Sequence, residues 1–163
     1  MTGFVQSLES AKTLVTSEGM WQHFLGEYLP KARIIGLGEA LLSVDDFRKK
    51  FDPDTIYILD SRGYHARFED LVFFYEKFNR ETGCHLNLDL QHMGIVIGSS
   101  SLQAQSPQGH DRCLAQARWA LRGRKVKRVI VENMCDVRIF QKVTGVLVMH
   151  ISQYLTEKVQ TPL

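Results

Sequence analysis

A parallel β-sheet covered by helices on both faces is the architecture this sequence predicts. Short β-branched runs, above all Ile56-Tyr57-Ile58-Leu59 and Val129-Ile130-Val131, alternate with longer stretches of helical apolar spacing such as Phe68 to Arg80. Parallel strands need such intervening helices, because a crossover cannot be closed by a tight turn. The chain has 163 residues and is 44% hydrophobic, enough for one domain with a full core, and residues 1–163 are read as a single unit. The organising stretch is Asp52 to Gly63. Pro53 and its flanking acids stop a helix, the apolar run follows, and Asp60-Ser61-Arg62-Gly63 is turn chemistry. This places the Asp60 carboxylate at the C-terminal end of a buried strand, the edge where ligands and chemistry collect in open α/β sheets.

The elements follow in order. Gly3 to Leu8 opens as a short strand, and a helix with Leu14, Val15, Trp21, Phe24, Leu25 and Tyr28 on its apolar side runs to Pro30. Ala32 to Gly38 is a strand, followed by a helix over Glu39 to Phe51 that Ser43 can restart as an N-cap. After the Asp60 strand, Phe68 to Arg80 is a helix stopped at Thr82-Gly83. Leu86, Leu88 and Leu90 alternate like an extra strand or an extended approach, and Ile95 to Gly98 is a compact strand. A loop at Ser106 to Gly109 leads to a helix over Asp111 to Arg122, closed by Gly123. Val129 to Val131 is the last strand, and a long helix from Cys135 or Asp136 to Lys158 ends the chain. Five strands and five helices fit a three-layer, doubly wound, flavodoxin-like domain with a five-stranded parallel sheet.

Composition excludes some classes. The formal net charge of +2 gives no global attraction to nucleic acid. Three widely spaced cysteines, Cys84, Cys113 and Cys135, form no paired motif, and the N-terminus has no secretory pattern, so a reduced, cytoplasmic protein is expected. The apolar run Val143 to Ile151 is broken by Thr144, Gly145 and His150, and is far below the roughly 20 residues of a membrane span.

Several segments together resemble the receiver domain of bacterial response regulators. Phe51 to Asp60 is similar to the family's stretch ending in the phospho-accepting aspartate, and Ser17 to Leu25 resembles the first helix of regulators with a helix-turn-helix output. Arg33 to Ala40 resembles their second strand, Ile95 to Ser99 their fourth strand and its Ser or Thr, and Ala117 to Val131 the passage into the fifth strand. The resemblance makes Asp60 the phospho-acceptor-like position. It also exposes departures. Only Glu9 stands where two metal-holding acids are needed, Glu132 falls near the position of the phosphate-pairing lysine, and Ile130 near that of the aromatic switch. A carboxylate there repels an aspartyl phosphate. Glu9, Ser99 and Glu132 are therefore expected to be a vestigial pocket around Asp60, in a degenerate receiver without phosphorylation chemistry.

Other patterns in the chain have plain structural readings beside functional ones. Gly36-Leu37-Gly38 with Asp60 partly matches a dinucleotide fingerprint, but Leu41 replaces its third glycine, which leaves an ordinary strand-to-helix turn as the main reading and a nucleotide-binding enzyme or sensor as the alternative. Val129-Ile130-Val131-Glu132 resembles the opening strand of a Toprim motif, with Asn133 in place of its glycine. His85, His92, His110, Cys84 and Cys113 contain the material of a zinc site, and His110 and Cys113 have a spacing acceptable for ligands from one helical turn. The neighbours Cys84 and His85 diverge in a strand, however, so scattered histidines and buried thiols are the main reading and no metal is expected. Arg122, Arg124, Lys125, Lys127 and Arg128, with Arg118, form a basic patch best read as a solvated helix end; a DNA-binding regulator fragment is the alternative, and nucleic acid is not expected to bind this domain alone.

The functional expectation is a non-enzymatic regulatory module, stand-alone or an excised N-terminal piece, that works by binding a protein partner and needs no cofactor. A homodimer is expected through the last strand and helix, because Val143 to Ile151 carries more apolar residues than one helical stripe requires. Val129, Val131, Val148 and Met149 form the expected dimer face.

Overall fold

The computed structural model describes residues 11–16 and 19–159. The Gly3 to Leu8 strand and Glu9 lie outside the described residues. The chain is an α/β protein in which, among the described residues, every pairing between the named strands is parallel. Among the described residues the strands form two sheets, one of two strands and one of four, rather than a single five-stranded sheet. Strand β1 (Thr13–Thr16) pairs with β2 (Arg33–Gly36), and helix α1 (Gly19–Tyr28) connects them. Leu14 and Val15 are thus in a strand and not on the first helix. This unit has its own small core of Leu25, Leu29 and Ile34. Of the residues in these two strands only Ile34 is buried, so among the described residues β1 and β2 lack the double-sided cover that a central strand requires.

Two short helices, α2 (Leu37–Leu42) and α3 (Asp45–Arg48), replace the expected continuous helix to Phe51. Val44, not Ser43, takes the extended N-cap position of α3, while the Ser43 hydroxyl donates back to the Glu39 carbonyl. The main sheet begins at β3 (Thr55–Ile58), buried throughout, and continues through β4 (His85–Leu86), β5 (Arg128–Val131) and β6 (Leu147–His150) in the spatial order β4-β3-β5-β6. Between them lie α4 (Ser61–Ala66), α5 (Phe68–Thr82), a 3-10 turn at Leu102–Gln105, α6 (Pro107–Leu121), α7 (Met134–Val143) and α8 (Ile151–Val159). Helix α5 stops at Gly83 in the left-handed conformation, φ 69°, and Ser106 caps α6 through the Gly109 N–H.

Alternation along the strands divides the core in two. Tyr57, Leu59, Ile130 and Met149 face α5 and α8 through Tyr75, Phe78, Tyr154 and Leu155. Ile56, Ile58, Val129, Val131 and Val148 face α6 and α7 through Ala117, Ala120, Ile139 and Phe140. Helices therefore cover both faces of the four-stranded sheet.

Two corrections follow from this packing. The C-terminal helix is interrupted: Thr144 is extended at φ −137°, ψ 150°, and residues 147–150 form β6. Adjacent Val148 and Met149 enter opposite cores, the period of a strand, which accounts for apolar residues in excess of one helical stripe. Val129, Val131, Val148 and Met149 are all buried within the chain, so their side chains offer no dimer surface. Second, Ile95 to Gly98 is not a strand. The Asn87 side chain takes the ladder position beside β3, accepting from the Leu59 N–H at 2.9 Å, and the main chain of Ile95 bonds to Asn87 instead of to the sheet.

Candidate functional site

The candidate site is the carboxyl edge of the main sheet. The chain leaves β3 to form β4 on one side and returns to form β5 on the other, so the ends of β3 and β5 flank a switch point, the place where α/β sheets offer a crevice. Leu59-Asp60 and Glu132-Asn133 emerge there. Asp60 is half-buried and caps α4, its carboxylate accepting from the Arg62 N–H at 3.1 Å. Sequence reasoning placed this carboxylate correctly at the strand end but took α4 for a turn.

Glu132 is the centre of the edge. Its carboxylate is buried and accepts three hydrogen bonds: Oε1 from the Tyr57 and Tyr75 hydroxyls, each at 2.6 Å, and Oε2 from the Asp60 N–H at 2.6 Å. Burial pushes the Glu132 carboxyl up to about 7 despite these donors, and the Asp60 charge adds to the rise. The same burial, with the Glu132 charge, holds both tyrosines well above the usual phenol range. Gly38 makes room for the group. A Cβ there would fall within the Glu132 carboxylate and 2.7 Å from the Tyr57 hydroxyl. Gly38 is thus explained by close approach of a side chain, not by approach of a pyrophosphate, and Gly36 is the N-cap of a six-residue helix in the other sheet's unit. The fingerprint glycines and Asp60 do not line one strand-to-helix crossover.

Around Glu132 the edge is closed by further polar contacts. Asp136, buried in the first turn of α7, accepts from the Ser99 hydroxyl, and burial raises its carboxyl to about 7. Ser99, expected near Asp60, is therefore bonded to Asp136. Buried His150 at the end of β6 donates from Nε2 to the Glu132 carbonyl at 2.8 Å, and its Nδ1 accepts from Ser152. Asn133 caps α7 through the Cys135 N–H. Buried Glu39 is held by Arg67 at 2.6 Å and Arg33 at 3.3 Å, tying the β1–β2 unit to the main domain.

Residues 87–101 run across this edge as a strap. Asn87, wholly buried, bonds to Leu59 and Ile95; Tyr64 donates to the His92 carbonyl at 2.7 Å; the Gly94 N–H donates to His65 at 3.1 Å; and Ile97 sits in the second core. Gly94 passes so close to α4 that a Cβ would lie 3.2 Å from Ser61 and 3.3 Å from Tyr64.

Elsewhere the expected clusters separate. Among the described residues, no His, Cys, Asp and Glu side chains assemble into a metal-holding group. His110 lies 3.0 Å from Lys142, while Cys84 and Cys113 are buried in different cores. The basic patch is divided among local partners: Lys127 with Asp54, Arg128 with Asp52 at 2.9 Å, Arg122 over the Trp119 ring, and Arg124 with the Ala120 and Leu88 carbonyls. Lys125 is exposed. No described helix is long and apolar enough to cross a membrane.

Sequence reasoning missed Tyr57, Tyr75, Asn87 and His150. Asn87 had a faint signal, a polar residue between Leu86 and Leu88 in an alternating run; the tyrosines looked like ordinary core. No protein-family model matches the chain, and no curated protein is significantly similar to it.

Proposed function

We propose that this protein is a non-enzymatic, receiver-like regulatory module that acts by binding a protein partner. The strand order β4-β3-β5-β6 supports the finer fold reading, since it is the order in which a doubly wound, flavodoxin-like sheet begins, although it makes β3 the first strand of that sheet and so puts Asp60 at the end of the first strand, where the receiver resemblance implies the third. One observation carries the functional reading: Glu132 is bonded to the main-chain N–H of Asp60 itself, at 2.6 Å. A phosphoryl group on Asp60 needs neutralising charge from a cation or metal ion. The Glu132 carboxylate, anchored by two buried tyrosines, adds negative charge at that position, and the strap crosses the same edge. The geometry favours a scaffold whose old reaction centre has become a structural clasp.

Chemical-shift mapping with beryllofluoride and Mg²⁺, then with a nucleotide panel, tests this reading. Amide signals of Asp60, Ser99 and Glu132 are expected to stay in place. Saturable, magnesium-dependent shifts there would overturn it in favour of phosphoryl chemistry, and nucleotide shifts lost in Asp60→Ala would overturn it in favour of a nucleotide enzyme or sensor.

A further inference from the structure

A second feature lies on the β4 side of the main sheet, away from the Glu132 clasp. An open cleft of about 530 Å³ lies between Arg80 of α5, His85, Leu86 and Leu88 at and after β4, and Arg124 from the turn before β5, with Glu76 and Asp89 also on its wall. Its volume falls within the range of small-ligand sites. The charges lining it are unequally satisfied. Glu76 is 3.3 Å from His92, and the Asp89 carboxylate accepts from the Gln91 and Met93 N–H groups at 2.8 and 2.9 Å.

The cations are not matched in this way. Arg124 is partly buried, and among the described residues its guanidinium meets the Ala120 and Leu88 carbonyls alone, the latter at 3.2 Å. Five N–H donors are available on a guanidinium, so those two acceptors leave capacity unused. No acidic group is within ion-pair distance of Arg124 or Arg80 among the described residues. Burial lowers the Arg124 pKa with nothing acidic to restore it. A cation held partly out of water without a counter-charge is unfavourable, and an anion that enters the cleft removes the imbalance.

We infer that this cleft binds a small organic anion, whose carboxylate or phosphate head is clamped by Arg124 with Arg80 and His85 while a short apolar body lies on Leu86 and Leu88. The fork geometry of Arg124 suits two parallel bonds to such a head. Glu76 and Asp89 then act as a selectivity filter, since they disfavour ligands with a second anionic group on their side.

The test is a titration of the full chain at constant ionic strength with phenyl phosphate, benzoate and benzyl alcohol, followed by NMR of the Leu86 and Leu88 amides and the Arg124 Nε–H. Saturable shifts are expected with at least one of the two anions at concentrations below about 10 mM, and none with the neutral alcohol. The tighter anion identifies the head group. Arg124→Gln should weaken binding about tenfold or more. Arg80→Glu, an exposed change that leaves the Arg124 carbonyl contacts intact, should also weaken it, which keeps the test valid if Arg124→Gln does not fold. Equal shifts with benzyl alcohol, no saturable shift with either anion, or unchanged binding in Arg80→Glu and in a folded Arg124→Gln would each overturn the inference. The reporters are distinct from Asp60, Ser99 and Glu132, so this outcome is separable from that of the phosphorylation test.

Discussion

The Asp60 N–H donates to Glu132 Oε2 at 2.6 Å, joining the ends of β3 and β5 through one buried carboxylate. Replacement of Glu132 by lysine would put a cation against the Asp60 N–H donor in space shaped by Gly38. Glu132→Lys should therefore lower unfolding free energy by about 3 kcal/mol or more. Glu132→Gln should be milder, because its amide can accept from Asp60 and donate to a tyrosine oxygen. Urea unfolding of the two variants checks the order.

Gly38→Ala tests the same contact from the other side. The added methyl overlaps the Glu132 carboxylate and crowds the Tyr57 hydroxyl, so a loss of about 2–4 kcal/mol is expected. Adding Glu132→Ala should recover part of it, and a double-mutant cycle should return a non-additive coupling.

Stability should fall as pH rises from about 5 to about 7. Glu132 and Asp136 have folded-state pKa values raised from 4.5 and 3.8 to about 7. Between the unfolded and folded values the folded chain binds more protons, so raising the pH favours unfolding, and the effect levels off above about 7. Each group contributes on the order of 2–3 kcal/mol across that window. Denaturant midpoints at pH 5 and 7.5 measure it, and Glu132→Gln with Asp136→Asn should flatten the profile.

Strand β6 can be distinguished from the helix that periodicity predicts. Val148→Glu and Met149→Glu each bury a carboxylate in a core and should both cost several kcal/mol. Leu147→Glu should be nearly neutral, because Leu147 is 58% exposed. A helix would not bury two consecutive residues in opposite cores.

Asn87→Ala removes the side chain that bonds Leu59 and Ile95. A loss of about 2–3 kcal/mol is expected, with faster amide exchange at Leu59 and along residues 94–97. Retained protection at Leu59 would show that the strap does not depend on this side chain.

The sequence by itself determined the α/β class, the buried strands at β3 and β5, the helices α5 and α6 and the position of Asp60 at a strand end. These depend on local signals: β-branched runs, helical spacing and Gly83 as a stop; α6 nevertheless starts at Pro107, inside the segment that reads as a loop, because Ser106 caps it. Only the tertiary structure decided what lay between them. Val143 to Ile151 is apolar in either period, and its identity as β6 was settled by a core on each side of Val148 and Met149. Ile95 to Gly98 has strand composition, yet the Asn87 side chain occupied the sheet edge. Glu132 was legible as a misplaced charge, but its partners, Tyr57 and Tyr75, are 75 and 57 positions distant in the chain. Composition records which groups can form hydrogen bonds; the folding of distant segments onto one edge determines which of them meet.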